Sequence, residues 1–278
     1  MKKKLPWVLV CLLLLAGLTL LLYPTISNWL MERNQSIAIQ EYDASIAEMA
    51  AQALEEELQK AREYNDALSG ANIEDPFVPE SGRVLPVDYT SILNVDGTIG
   101  HIEIPTIDVY QPIYHGTGEE VLEKGVGHMQ YTAFPIGGEG NHTVLTGHTG
   151  LTSARLFTDL DQLETGDVFY IHVLDEILAY EVDQILVVEP SDTDELLPVA
   201  GKDYVTLVTC TPYGINSHRL FVRGTRIPYE EAVAEQADGE AAGINWRVVI
   251  IVSFTILAAL AFVIYKCINK RKQRGRGL

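Results

Sequence analysis

The sequence predicts a mainly β domain, a sandwich or a closed barrel, preceded by helices and held between two membrane-spanning segments. Three observations carry this. Seven or eight short β-branched and aromatic runs crowd into about 140 residues after position 90. Strong helix formers with apolar residues at helical spacing fill 34–68. Uncharged or nearly uncharged apolar runs occupy 5–22 and 244–265.

The first run, 5–22, carries no charge and follows Lys2, Lys3 and Lys4. A bilayer takes about 17–25 residues, so this run can cross one. A cleavable signal peptide would have a shorter core, about 7–15 residues, and a small-residue cleavage site. Tyr23-Pro24-Thr25-Ile26 follows instead, so an uncleaved anchor over 1–23 is the reading. A membrane-proximal helical region spans 24–70. Ile37, Ile39, Ile46, Met49, Ala50, Ala53, Leu54, Leu58 and Ala61 recur there at roughly helical spacing, as one helix or two, closed by Ser69-Gly70. The polar face is acidic, which favours packing of the apolar stripe on the next domain over binding to lipid. Residues 71–90 form a Pro-, Gly- and acid-rich linker. It sets Phe77 between Pro76 and Val78-Pro79, either to plug a groove or to anchor a surface loop.

The β-domain covers 91–228. Its strand runs are 98–104, 107–113, 143–147, 167–174, 178–189, 204–209 and 219–227, with short helices expected near 119–123 and 153–160. An Ala/Glu-rich tether follows over 229–243. The second span, 244–265, contains one charge, Arg247, near its end, and Trp246 and Tyr265 at its two margins. A basic tail, 266–278, completes the chain. The positive-inside rule puts both ends in the cytoplasm and 24–243 outside it.

The charge agrees with this partition. The 278 residues hold 38 acidic and 20 basic side chains, a net of −18. Residues 1–23 and 244–278 hold 10 of the basic residues and no acids, which leaves the middle of the chain at −28. The basic ends face anionic inner lipid. The acidic middle excludes a nucleic-acid partner, which would need a basic footprint. It favours a lysine-bearing partner instead. A hydrophobic share of 47% excludes global disorder. Three cysteines make no disulfide framework, and no His/Cys/carboxylate cluster has metal-ligand spacing, so no metal or cofactor is expected.

Cys11 and Cys267 lie in or beside the apolar runs, where a thiol behaves as a small apolar group. Cys210 stands apart, at the end of the apolar strand Thr206-Leu207-Val208-Thr209-Cys210. It is either a functional thiol or an inert buried one. Nine residues on, Arg219 opens the next strand, where a hairpin-like pairing would bring it near the thiol. Its guanidinium suits an oxyanion, and a salt bridge to one of the many acids is the alternative. His148, in Thr146-Gly147-His148-Thr149-Gly150, ends a strand between glycines and is the best partner for the thiol. His218 is second. His128 and His142 read as structural or surface residues, and His101, His115 and His172 as packing residues.

Together, Thr206-Leu207-Val208-Thr209-Cys210, Arg219 and Thr146-Gly147-His148, which lies 62 residues before Cys210, resemble the sortase family over roughly 91–227. The segment from Thr209 to Arg219 looks like the class C, pilin-polymerising members, as does Leu156-Phe157-Thr158-Asp159-Leu160. Glu74-Asp75-Pro76-Phe77 resembles that class's lid. Thr149 departs from the pattern, since many relatives carry arginine there.

The resemblance implies an eight-stranded sortase-type β-barrel with Cys210, His148 and Arg219 on one groove. It implies attack by Cys210 on an LPxTG-type sorting signal of a pilin, with His148 as acid and base and Arg219 holding substrate and oxyanion. A pilin lysine amine would resolve the thioacyl intermediate. Thr209 would support the cysteine, and Asp75 would pair with Arg219 while Phe77 covers Cys210. A housekeeping cell-wall-anchoring sortase and a hydrolytic cysteine peptidase are the enzyme alternatives. A membrane-anchored adhesin or scaffold is the non-enzyme one.

Overall fold

A computed structural model describes residues 5–68, 77, 89–151, 154–230 and 232, with side chains from Leu15 onward. The chain divides into two compact units, 1–234 and 235–278. The described residues all belong to the first.

Eight strands close into a barrel. They are β1 (Gly100–Ile104), β2 (Val109–His115), β3 (Val126–His128), β4 (His142–Thr146), β5 (Val168–Val173), β6 (Glu176–Val188), β7 (Tyr204–Thr211) and β8 (His218–Ile227). Around the wall the order is β1-β2-β3-β4-β7-β8-β6-β5, and β5 pairs back onto β1. Two pairs are parallel, β2 with β3 and β4 with β7. A parallel pair needs a crossover rather than a tight turn. Between β2 and β3 the crossover carries the short helix α3 (Glu119–Leu122), the third helix of the chain.

The barrel is filled by the inward positions of these strands, among them Ile102, Ile104, Ile113, Leu145, Phe169, Ile171, Tyr180, Val205, Leu207 and Val222. Phe134 and Phe157 enter the same core from loops. Closure leaves no free sheet edge, so every strand of the wall is paired on both sides.

Two helices precede the barrel, α1 (Leu5–Glu48) and α2 (Ala51–Ala67), separated where Ala50 adopts an extended conformation. Ile46 and Ala61 are buried as the helical stripe predicts, and Tyr42 and Tyr64 join them. Both tyrosines are also polar ties to the barrel side. Tyr42 Oη donates to Ile99 O at 3.1 Å and accepts from Leu174 N at 2.7 Å. Tyr64 Oη accepts from Tyr131 N, and Asn65 exchanges two hydrogen bonds with the Phe134 backbone. Such bonds to otherwise unpaired backbone groups fix one docking position for an apolar helix face.

Three expectations change. β3 is not among the expected strands, because three residues are too few for alternation to show, and His128 within it is wholly buried, the structural of its two readings. Among the described residues, 154–160 form no α-helix where one is expected near 153–160. Leu156 sits at φ 41°, and Phe157 N donates to His148 O, so this segment forms turns ending in a short 3-10 stretch at Leu160–Gln162. The strand expected from 107 begins at Val109, because Pro105–Ile107 form a 3-10 turn closed by Asp108 at φ 55°.

Among the described residues no helix is long and apolar enough to cross a membrane. The run at 244–265 falls outside them, and the side chains of the run at 5–22 are described only from Leu15.

The barrel wall also buries imidazoles. His128 lies against Phe134 at 4.7 Å between ring centroids and meets Tyr89 Oη and Ala133 O. His142 bonds Thr206 Oγ1 at 2.7 Å, and His101 stacks on His172 at 4.2 Å. Loss of solvent pushes His101 and His128 down to about 3 and His142 to about 4. A group whose folded value lies below its unfolded one binds protons first in the unfolded chain. Stability therefore falls as pH drops from about 6.5 toward 4, by up to ~1.4 kcal/mol per pH unit for each imidazole. Burial raises the carboxyls of Asp43 and Asp203, which works in the opposite sense nearer the carboxylate range. Urea unfolding at pH 7 and pH 5 is expected to show a clearly lower midpoint at pH 5. Equal midpoints would contradict neutral buried imidazoles.

Candidate functional site

The site is built at one end of β4, β7 and β8. On β7, side chains alternate between the two faces of the wall. Val205 and Leu207 point into the barrel core. Val208 points the other way, into a cluster with Met129, Val144, Leu196 and Phe221. Cys210 shares the parity of Val208 and emerges on that outer face, half-buried and outside any disulfide.

The antiparallel ladder between β7 and β8 places Arg219 directly opposite Cys210. Directly opposed residues project from the same face, so thiol and guanidinium stand side by side, as a hairpin pairing predicts. Arg219 is 8% exposed. Its Nη1 donates to His218 O at 3.2 Å and more weakly to Asn216 O at 3.4 Å. These bonds to the connecting loop hold the guanidinium at the strand end. Burial reduces the screening of its charge by water.

His148 arrives on the neighbouring strand. Thr146 of β4 pairs with Val208 of β7. Gly147 N then donates to Val208 O at 3.0 Å, and Thr209 Oγ1 donates to Gly147 O at 2.7 Å. The ladder thus runs one residue past β4 and delivers His148 to the same end of the sheet as Cys210. Thr209 is buried, so its hydroxyl acts by fixing the histidine loop.

The glycines of this loop have separate reasons. A Cβ on Gly147 would lie 2.7 Å from the Phe157 ring, and Gly150 has φ +77° with the Tyr213 ring beside it. Phe157 N binds His148 O, and Thr158 Oγ1 accepts from Gly150 N. The segment from Leu156 to Leu160 therefore clamps the histidine loop, a role invisible to a one-dimensional reading.

Phe77 covers this face. Its ring lies 4.8 Å from Arg219 Cζ and 6.1 Å from the His148 ring, and it packs against the Val208–Phe221 cluster. One aromatic side chain thus touches the surroundings of two predicted site residues, and the cation–π contact with Arg219 adds to its seating. Asp75 lies outside the described residues.

Two acidic residues at the site carry no sequence signal. Glu119 Oε2 is 3.8 Å from His148 Nε2, and Glu189 Oε1 is 3.4 Å from His218 Nε2. Their positions follow from the crossover between β2 and β3 and from the end of β6, which only the closed barrel brings together. Among the described residues no group of three His, Cys, Asp or Glu side chains could hold a metal ion. The arrangement offers a nucleophilic thiol, an imidazole able to move protons and a fixed cation for developing negative charge.

Comparison with known proteins agrees with this geometry. The sortase-domain family matches residues 102–227. A Streptococcus pneumoniae sortase C, studied for its catalysis and pilin substrate specificity, is 48% identical. The match covers 69% of this chain and 97% of that one, with a TM-score of 0.64. Sortase C-1 of Actinomyces oris is 47% identical over 64% of this chain and 99% of its own, with a TM-score of 0.61. Sortase A of Streptococcus agalactiae is 28% identical over 210 residues, 74% of this chain and 78% of that protein.

Proposed function

Because the chain belongs to the sortase family, as a cysteine transpeptidase of class C, we propose that it polymerises pilins. It cuts an LPxTG-type sorting signal between Thr and Gly and joins the Thr carbonyl to a lysine amine of another pilin. One observation carries the reading: Cys210 and Arg219 are opposed across β7 and β8, with His148 at the same sheet end and Phe77 over the group. The relatives named for pilin substrates or sortase C support the choice of class.

In the first step the Cys210 thiol gives its proton to His148 and the sulfur attacks the Thr carbonyl carbon. The C–S bond forms, and the oxygen takes up negative charge beside Arg219. The C–N bond then breaks as His148 gives a proton to the leaving Gly amine. In the second step the lysine amine attacks the thioester carbon, His148 takes the proton, and the electron pair returns to sulfur. Thr209 keeps the histidine loop in register with Cys210 through Gly147.

The segment 71–90 acts as a lid. Phe77 occupies the face that the sorting signal must reach, and Asp75 pairs with Arg219 in the closed state. Full burial of a Phe side chain is worth about 1.5–3 kcal/mol and Phe77 is half-buried, so Phe77→Ala is expected to raise the open fraction, and with it the rate of Cys210 modification by a thiol reagent, by about four- to tenfold. The modified cysteine is identified by mass spectrometry. An unchanged rate would argue against a closed lid.

Residues 5–22 and 244–265 anchor the chain in the membrane, with the basic termini in the cytoplasm and the catalytic domain 91–228 outside. The lengths of these runs and their basic flanks support this topology. The functional reading is tested by the product. An LPxTG-type peptide and a lysine-bearing pilin segment are expected to yield an isopeptide bond, and release only as a free carboxylate would indicate a hydrolase.

A further inference from the structure

Glu119 opens α3, whose Leu122 is buried and packs toward Gly127 of β3, so its place beside the site is fixed by the crossover. Its Oε2 lies 3.8 Å from His148 Nε2. That is too long for a hydrogen bond, yet close enough for charge to act. His148 Nε2 is closed off from solvent and has no hydrogen-bond partner among the described residues. The Glu119 side chain is 75% exposed. A carboxylate open to solvent therefore stands at the outer margin of an imidazole nitrogen that no group among the described residues satisfies. A nitrogen between the two atoms can lie about 2.8 Å from each, a normal hydrogen-bond length.

We infer that Glu119 recognises the acceptor by holding the ammonium of an incoming primary amine against His148. The inference rests on the transpeptidase reading above. A carboxylate favours ammonium over neutral amine, so Glu119 binds and orients the acceptor and does not drive its deprotonation. The bound ammonium gives one proton to solvent. The neutral nitrogen then attacks the thioester carbon, the C–N bond forms, the C–S bond breaks with its electrons returning to Cys210, and the second proton passes to His148. Acceptors without positive charge gain nothing from Glu119.

The test uses the full chain in a Phe77→Ala background, with Glu119 intact or replaced by Gln. Each protein is first loaded with an LPxTG-type peptide, and the Cys210 adduct is measured. A lysine-containing peptide and hydroxylamine, uncharged at neutral pH, then compete for the adduct. Glu119→Gln is expected to lower the lysine-to-hydroxylamine product ratio by about two- to fivefold, the range of an exposed ion pair, through the KM of the lysine acceptor. Glu119→Asp, which keeps the charge, recovers part of the ratio. An unchanged ratio, even with both products reduced, would overturn the proposal by showing that Glu119 merely supports His148. Absence of any adduct at the loading step would overturn the transpeptidase reading, and the proposal with it, before an acceptor is added.

Discussion

Cys210→Ala is expected to leave no covalent adduct with an LPxTG-type peptide and no transfer product, with a folded protein of near-unchanged stability. The side chain is half-buried one residue before the end of β7, outside the core clusters. Losing one sulfur there costs little packing compared with a fully enclosed position. The chemistry has no substitute nucleophile. Thr209 points to the opposite face, and its hydroxyl is engaged by Gly147 O. Adduct formation by the variant, measured by intact mass after an acid quench, would end the assignment. A matching urea midpoint for wild type and variant separates lost chemistry from lost fold.

His148→Ala is expected to slow both half-reactions by about 10²–10⁴, the usual weight of general acid–base catalysis. The loss falls on both because, in the proposed mechanism, the same imidazole gives a proton in the first step and takes one in the second. The loop itself is held by backbone contacts, Gly147 N to Val208 O and Phe157 N to His148 O, which the substitution keeps. Adduct formation and adduct resolution are measured separately by rapid quench. A loss in only one step would limit His148 to that step, and a loss under tenfold would remove it from the chemistry.

Much of this site is legible in the sequence, for a physical reason. A strand of period two that ends in Cys210, a loop, and a strand opened by Arg219 force the two residues to oppose each other once the strands pair. The helical stripe likewise announces its burial through Ile46 and Ala61. What escapes is whatever depends on closure of the barrel. β3 is three residues long and acquires strand geometry from its neighbours on both sides. The turn at 156–159 looks helical in composition, but Leu156 is left-handed and Phe157 is drawn into the core below Gly147. Glu119 meets His148 only because a crossover ends where β4 ends. Tyr42 and Tyr64 read as ordinary helix residues, although their hydroxyls tie α1 and α2 to the barrel side.

The arrangement also separates three tasks. Arg219 and Cys210 are set by one hairpin, His148 by the parallel neighbour, and Phe77 by a segment outside the barrel. Movement of the covering ring can therefore open the face without disturbing the ladder beneath it. That is the condition for a lid that competes with substrate rather than one that assembles the site.

The central claim is that Cys210 carries the acyl group between donor and acceptor. Its most direct measurement is peptide mapping of the full chain, quenched in acid after incubation with an LPxTG-type peptide and no acceptor. A thioester through the Thr carbonyl is expected on Cys210, disappearing when a lysine acceptor is added as an isopeptide product appears. An adduct on any other residue, or cleavage of the peptide with Cys210 never acylated, would contradict it.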